Sequence, residues 1–192
     1  MLSEIETKLT RESCRLRPMK PADLEMVLKW RNSERVRTAM YKDHIISMEE
    51  HQDWYQRVTD GNTSLHFVFE VDGRPIGVVN TVDIDRTNNK CNWGFYIGDE
   101  SAPCGAGSAM GFLALERLIE AEGFRKVTGE ALGSNDASIR YHRKLGFVEE
   151  GRLVDHLLKN DHYVDVVLFA IFNRDWQRIR RELETKIFES RK

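Results

Sequence analysis

The sequence predicts an α+β fold: a single domain over residues 1–192, built on one twisted, mixed sheet of about seven strands flanked by helices. Three observations lead there. The chain of 192 residues is 41% hydrophobic and 31% charged, enough apolar material for one ordinary core. Its early strand-like segments are separated by tight-turn signals, as in an antiparallel meander, whereas its middle alternates strand, helix, strand and helix as a crossover does. No repeat, low-complexity tract or linker divides it, and Pro18, Pro21, Pro75 and Pro103 all fall at turns or element starts.

In order, Cys14 to Pro18 alternates as a short strand, and Pro21 opens an amphipathic helix with Leu24, Val27, Leu28 and Trp30 at helical spacing. Residues 1–12 read as an extension ahead of the domain. Ser47-Met48-Glu49-Glu50 has the form of a capping box and starts a helix through His51, Trp54, Tyr55 and Val58. Leu65 to Val71, Ile76 to Ile84 and Asn92 to Ile97 are strands joined by turns at Asp72-Gly73 and Asn88-Asn89. A helix through Met110, Leu113, Leu118 and Ile119 stops at Gly123. Lys126 to Leu132 is a strand leading into a helix from Ser134 to Leu145. Phe147 to Leu157 and Tyr163 to Phe172 form a hairpin, and the charged segment within 173–192 closes the chain as a helix.

Composition excludes several functions. With 29 basic and 31 acidic residues the formal charge is −2, so no overall basic field holds a nucleic acid. The longest apolar run, Val166 to Phe172, is far short of the ~20 residues that cross a bilayer. The first residues lack the basic and apolar regions of a signal peptide, which places the protein in the cytoplasm. Cys14, Cys91 and Cys104 are odd in number and without a C-x-x-C pair, which points to reduced, mostly buried thiols. His44, His66, His156 and His162 show no ligand spacing, so no metal is expected.

Chemistry concentrates in Cys104-Gly105-Ala106-Gly107-Ser108-Ala109, directly after an apolar strand and directly before a helix. Small residues there let a ligand approach the backbone, and the free amides and positive end of the helix favour a phosphate or pyrophosphate. The second helix opens Asn135-x-x-Ser138-x-x-x-His142 and closes with Gly146-Phe147, placing Ser138 and His142 on one face.

These two motifs resemble the GNAT superfamily of N-acetyltransferases, and the order of elements is similar over nearly the whole chain. The resemblance implies an acetyl-CoA site: the acyl carbonyl polarised by backbone around Phe95, Tyr96 and Ile97, the pyrophosphate capped by Gly105, Ala106, Gly107, Ser108, Ala109 and Met110, and Asn135 and Ser138 alongside. Two positions depart from the family pattern. A glutamine or arginine is replaced by Ala102, which leaves more of the phosphate binding to backbone amides. The tyrosine that commonly protonates the leaving thiolate falls on His142, with Tyr141 one residue earlier. A thiolate resembling cysteine leaves with a pKa of ~8.5, so His142, Tyr141 or no side chain at all can serve as its acid. Register favours His142. An amine must be neutral to attack, and Glu130, on the strand before the second motif, is the candidate base.

The amino-terminal third narrows the acceptor. Trp30-Arg31-Asn32, Met40-Tyr41-x-x-His44-x-Ile46-Ser47 and Glu50-His51-x-x-Trp54 resemble the branch of pseudaminic acid biosynthesis that acetylates the 4-amino group of UDP-4-amino-4,6-dideoxy-N-acetyl-β-L-altrosamine. That likeness implies that Arg31 and His51 face the nucleotide diphosphate while Met40, Tyr41 and Trp54 line the sugar. Forked guanidinium donors suit phosphate oxygens, and aromatic faces suit a 6-deoxy sugar. Transfer is expected to be direct, without an acyl-Cys104 intermediate. Acetylation of protein amino termini, as in the ribosomal-protein branch, and non-catalytic acyl-CoA sensing are the alternatives. In every case the partners are small molecules or peptides rather than nucleic acid or membrane.

Overall fold

The computed structural model describes residues 9–60 and 64–189. Its seven strands are β1 (Cys14–Pro18), β2 (His66–Val71), β3 (Arg74–Asp85), β4 (Lys90–Ile97), β5 (Lys126–Leu132), β6 (Val148–Lys159) and β7 (His162–Phe172). They form one sheet in the order β1-β2-β3-β4-β5-β7-β6. All neighbours are antiparallel except β4 and β5, which run parallel. The helices are α1 (Leu24–Asn32), α2 (Glu34–Arg37), α3 (Met48–Asp60), α4 (Ala106–Glu116), α5 (Asp136–Lys144) and α6 (Asn173–Glu184). The α+β, single-sheet expectation holds, and α2 is an addition to it.

Alternation along β2 divides the sheet's two faces. Phe67, Phe69 and Val71 join the larger core, and Val68 joins a smaller one with Met19, Leu24, Val27 and Val78. Helix α4 lies on the larger side and is buried on nearly every face, which is why its sequence is apolar all round instead of striped. One π turn, Arg117–Ala121, continues it until Gly123, at φ +73°, ends the run in a conformation that glycine adopts without strain. Helix α6 closes over α4: Trp176 Nε1 donates to Glu120 at 2.7 Å and Arg180 pairs with Glu116 at 2.9 Å.

Some local expectations are corrected. The extension was drawn to residue 12, yet Leu9 lies in the larger core and Arg11 pairs with Glu116 at 2.5 Å. Residues 9–12 therefore belong to the domain, while 1–8 lie outside the described residues. Ser47 does cap α3, accepting from the Glu50 amide at 3.1 Å, but the Glu50 carboxylate turns away to His44 Nε2 at 3.0 Å. Half of the capping box forms, because an exposed carboxylate exchanges one partner for another at little cost. Cys14 and Cys91 are buried and Cys104 is exposed. No helix among the described residues is long and apolar enough to cross a membrane.

Candidate active site

The parallel pair is short. β4 and β5 are in register only from Lys90↔Lys126 to Asn92↔Thr128. Past that point β4 follows β3 as far as Ile97, opposite Gly77, and β5 follows β7 as far as Leu132, opposite Val166. The strands splay apart, leaving Trp93 to Ile97 without partners on the β5 side. A cavity of about 820 Å³ fills the wedge and extends beneath α1 and α3.

Two helix starts close one end of the wedge. Gly105, at φ +88°, is the N-cap of α4, and its carbonyl accepts from the amides of Ser108 at 2.9 Å and Ala109 at 3.1 Å. Asn135 caps α5, its side chain accepting from Ser138 N at 3.0 Å. Of the residues expected around the coenzyme, Phe95, Tyr96, Ile97, Gly107, Met110, Asn135 and Ser138 line the cavity. Gly105 shapes the turn, while Ala106, Ser108 and Ala109 are buried on the core side of α4. A side chain that the motif did not flag also reaches this turn: Lys144 Nζ donates to Ser108 Oγ at 2.7 Å. A cation thus stands beside the first turn of α4, where Ala102 offers none.

The candidate acids separate sharply. His142 is 1% exposed and stacks on Phe169, with ring centroids 4.7 Å apart. Its Nδ1 faces the Ser138 carbonyl at 2.9 Å and its Nε2 accepts from Trp93 Nε1 at 3.2 Å. Both ring nitrogens are engaged, burial lowers its pKa, and the ring lies in the core behind the cavity wall. The register expectation for His142 is therefore not supported by its position. Tyr141 lines the cavity instead, packed on Phe95 at 4.6 Å, and its hydroxyl donates to the Gly107 carbonyl at 2.6 Å. Burial raises its pKa, so the phenol keeps its proton. Glu130, exposed on β5, also lines the cavity and accepts from the Tyr41 hydroxyl and from Asn92 Nδ2 at 3.4 Å.

At the other end, Arg31, Met40, Tyr41, His51 and Trp54 all line the wall. Arg31 donates through Nη2 to the Lys42 carbonyl at 2.7 Å, but its buried Nη1 has no partner, and desolvation lowers its pKa. His51 is 4% exposed and stacks on Trp54 at 5.0 Å, with Nε2 unpartnered. Two residues that sequence reasoning missed join them. His66 meets Trp54 edge-on at 4.9 Å with Nδ1 unpartnered, and burial pushes its pKa down to about 4. Asn92, the last residue before the splay, has a buried and unpartnered Oδ1. Both enter through sheet register, His66 opposite Asn80 and Asn92 opposite Val82, a relation with no signature in the sequence. These four buried polar atoms on one wall are free to hydrogen-bond a polar ligand. The wall also carries more cations than carboxylates: Arg31, Arg35, Lys42 and Arg57 against Glu50 and Glu130. No cluster of three or more metal-ligating side chains exists among the described residues.

Known proteins give this geometry a context. The sequence model of the family described as "Acetyltransferase (GNAT) domain" matches residues 14–148. The chain is 25% identical to the spermidine N(1)-acetyltransferase of Escherichia coli (strain K12) over 164 residues, 85% of this chain and 88% of that protein. It is 25% identical over 173 residues to an SPbeta prophage-derived uncharacterized N-acetyltransferase of Bacillus subtilis (strain 168), covering 89% and 96%. A crystal structure of the Vibrio cholerae spermidine N-acetyltransferase in complex with CoA and spermine superposes with a TM-score of 0.81 at 21% identity. That match covers 86% of this chain and 99% of the other.

Proposed function

The chain belongs to the GNAT acetyltransferase domain family and is an acetyl-CoA-dependent N-acetyltransferase, and on that premise we propose that its acceptor is a nucleotide-linked amino sugar. The acceptor best matched to the amino-terminal motifs is UDP-4-amino-4,6-dideoxy-N-acetyl-β-L-altrosamine, acetylated at its 4-amino group. One observation carries this reading: Arg31 is a half-buried guanidinium on the cavity wall whose buried Nη1 has no partner. Asp43 and Glu50 offset part of its charge, but Nη1 remains free to donate, and an anionic ligand satisfies it. A diphosphate supplies that anion, His51 offers a second polar contact, and Met40, Tyr41 and Trp54 offer the apolar face that a 6-deoxy sugar fits.

Transfer is direct in this reading. The amine nitrogen attacks the thioester carbonyl carbon and the carbon–sulfur bond breaks. Glu130 takes the proton that the new amide nitrogen sheds, directly or through a water, and Tyr141 protonates the departing thiolate. The core position of His142 moves the acid to Tyr141, whose hydroxyl now rests on the Gly107 carbonyl. The acyl group lies against the open edge of β4 from Phe95 to Ile97, and the pyrophosphate lies at the first turn of α4.

The relatives named for spermidine favour a second reading, a polyamine acceptor. The charge on the wall opposes it, since four cations against two carboxylates repel a polycation. The deciding experiment follows CoA release with the UDP-amino sugar, spermidine and a peptide amine in parallel. The sugar should exceed both by at least ~100-fold in kcat/KM. In Arg31→Met its KM should rise ~10–30-fold while that of acetyl-CoA holds, the size expected of one lost charge-assisted contact. Faster turnover of spermidine than of the sugar would overturn the assignment.

A further inference from the structure

The segment between α2 and α3, residues 38–47, supplies Met40, Tyr41 and Lys42 to the cavity wall, yet it has no regular secondary structure of its own. Something else must hold it in place. Its near end is fixed by neighbours in sequence: Arg37 Nη1 donates to the Asp43 carbonyl at 3.1 Å, and Asn32 exchanges two hydrogen bonds with Ile46, at 2.8 Å and 2.9 Å. Its outer curve is fixed from the far half of the chain. Lys159, the last residue of β6 before the β6–β7 turn, sends Nζ to the Met40 carbonyl at 2.7 Å and to Asp43 Oδ2 at 3.2 Å. Its side chain is only 12% exposed. Further ties are the Tyr41 hydroxyl on Glu130 of β5, Arg31 Nη2 on the Lys42 carbonyl at 2.7 Å and His44 with Glu50 at 3.0 Å.

We propose that Lys159 is a positioning residue for acceptor binding: the β6–β7 hairpin tip uses it to pin the 38–47 segment in the conformation that completes the acceptor wall. Lys159 does not line the cavity, and Met40 and Tyr41 do. Its ammonium acts through the backbone of Met40 and the carboxylate of Asp43, setting where the Met40 and Tyr41 side chains stand. Nothing in this arrangement touches the turn at Gly105 or the start of α5, so donor binding is independent of it. The proposal deepens the acceptor assignment above by naming what shapes that wall.

The test separates the two ideas by using a readout that needs no acceptor. Amide hydrogen exchange, followed by mass spectrometry on the full chain, compares wild type with Lys159→Met and Lys159→Arg. Exchange over residues 39–46 should quicken about tenfold in Lys159→Met, as expected for losing a charge-assisted hydrogen bond, and return toward wild type in Lys159→Arg. Peptides from β5 and α4, and acetyl-CoA affinity by calorimetry, should not change. With whichever amine the enzyme turns over, acceptor KM should rise about tenfold in Lys159→Met with kcat within twofold. Unchanged exchange over 39–46 overturns the proposal, as does a rise spread evenly over the chain, which would mark Lys159 as a general stabiliser. Turnover of spermidine in place of the sugar would sink the acceptor assignment and leave the exchange result standing.

Discussion

The two ends of the cavity are built by opposite means. The donor end relies on backbone: a left-handed glycine at Gly105, the open edge of β4, and two capped helix starts. The proposed acceptor end relies on side chains, the buried His51 and the half-buried Arg31, His66 and Asn92, each with a buried nitrogen or oxygen left unpartnered. Backbone amides recognise phosphate and thioester chemistry whatever the neighbouring side chains are, so this end tolerates replacements such as Ala102. Unpartnered side-chain groups match one ligand and penalise others, because each stays unsatisfied when the wrong molecule enters. On the proposed reading, the contrast teaches that backbone carries acyl chemistry and side chains carry acceptor choice.

The sharpest way to break this division is to exchange the roles of two adjacent residues on α5. Tyr141→Phe removes the phenol that the helix brings to the cavity wall and should lower kcat ~10²–10³-fold with acetyl-CoA affinity intact, the usual worth of a general acid. His142→Phe should leave kcat within ~5-fold. It strands the Trp93 indole donor, however, and should cost ~2 kcal/mol of stability in urea unfolding. The reverse pattern, a catalytic loss at His142 and none at Tyr141, would put the acid back at the motif position.

That pair also shows where the sequence is legible. The glycine turn and the Asn135 cap depend on residues within three or four positions of one another, so short motifs reveal them, as the hairpin turn at Asp72-Gly73 does at φ +50° and +77°. Which face of α5 looks into the cavity depends on Trp93, Phe95 and Phe169, which arrive from β4 and β7. Helical spacing alone places Ser138 and His142 together but not on the ligand's side. Arg31, His51 and Trp54 were readable as types suited to a nucleotide sugar. His66, Asn92, Lys144 and Lys159 were not, because only the register of distant strands and the packing of α5 and the β6–β7 hairpin bring them there.

Acidification sharpens the comparison at somewhat smaller cost. Burial lowers the pKa of His66 from 6.5 to about 4, and those of His51 and His142 in the same direction. The unfolded chain therefore binds protons that the folded chain refuses. Their contribution to stability is complete above pH ~6.5 and drains away as pH falls from there toward 4. His66 alone should account for ~2 kcal/mol between pH 7 and pH 5. Urea midpoints at pH 7, 6 and 5 should fall steadily in wild type and less steeply in His66→Gln. Equal slopes in the two proteins would show that the acceptor wall is wetter than its burial indicates.

The smallest effect belongs to the residue that a covalent mechanism would need most. Cys104 immediately precedes the glycine turn, so a ping-pong route through an acyl-cysteine would place its thiol at the donor site. The structure leaves Cys104 exposed and off the cavity wall, whereas Tyr141 and Glu130 both stand on that wall. An acyl-cysteine also requires a base within hydrogen-bond reach of the thiol, and Cys104 makes no hydrogen bond to a histidine among the described residues. Cys104→Ala should keep kcat/KM within ~2-fold, since a nucleophile lost from a two-step route would abolish turnover instead. A folded Cys104→Ala protein that binds acetyl-CoA and releases no CoA would turn the donor end from a backbone cradle into a covalent station. The division between the two ends of the cavity would then fail where it is best supported.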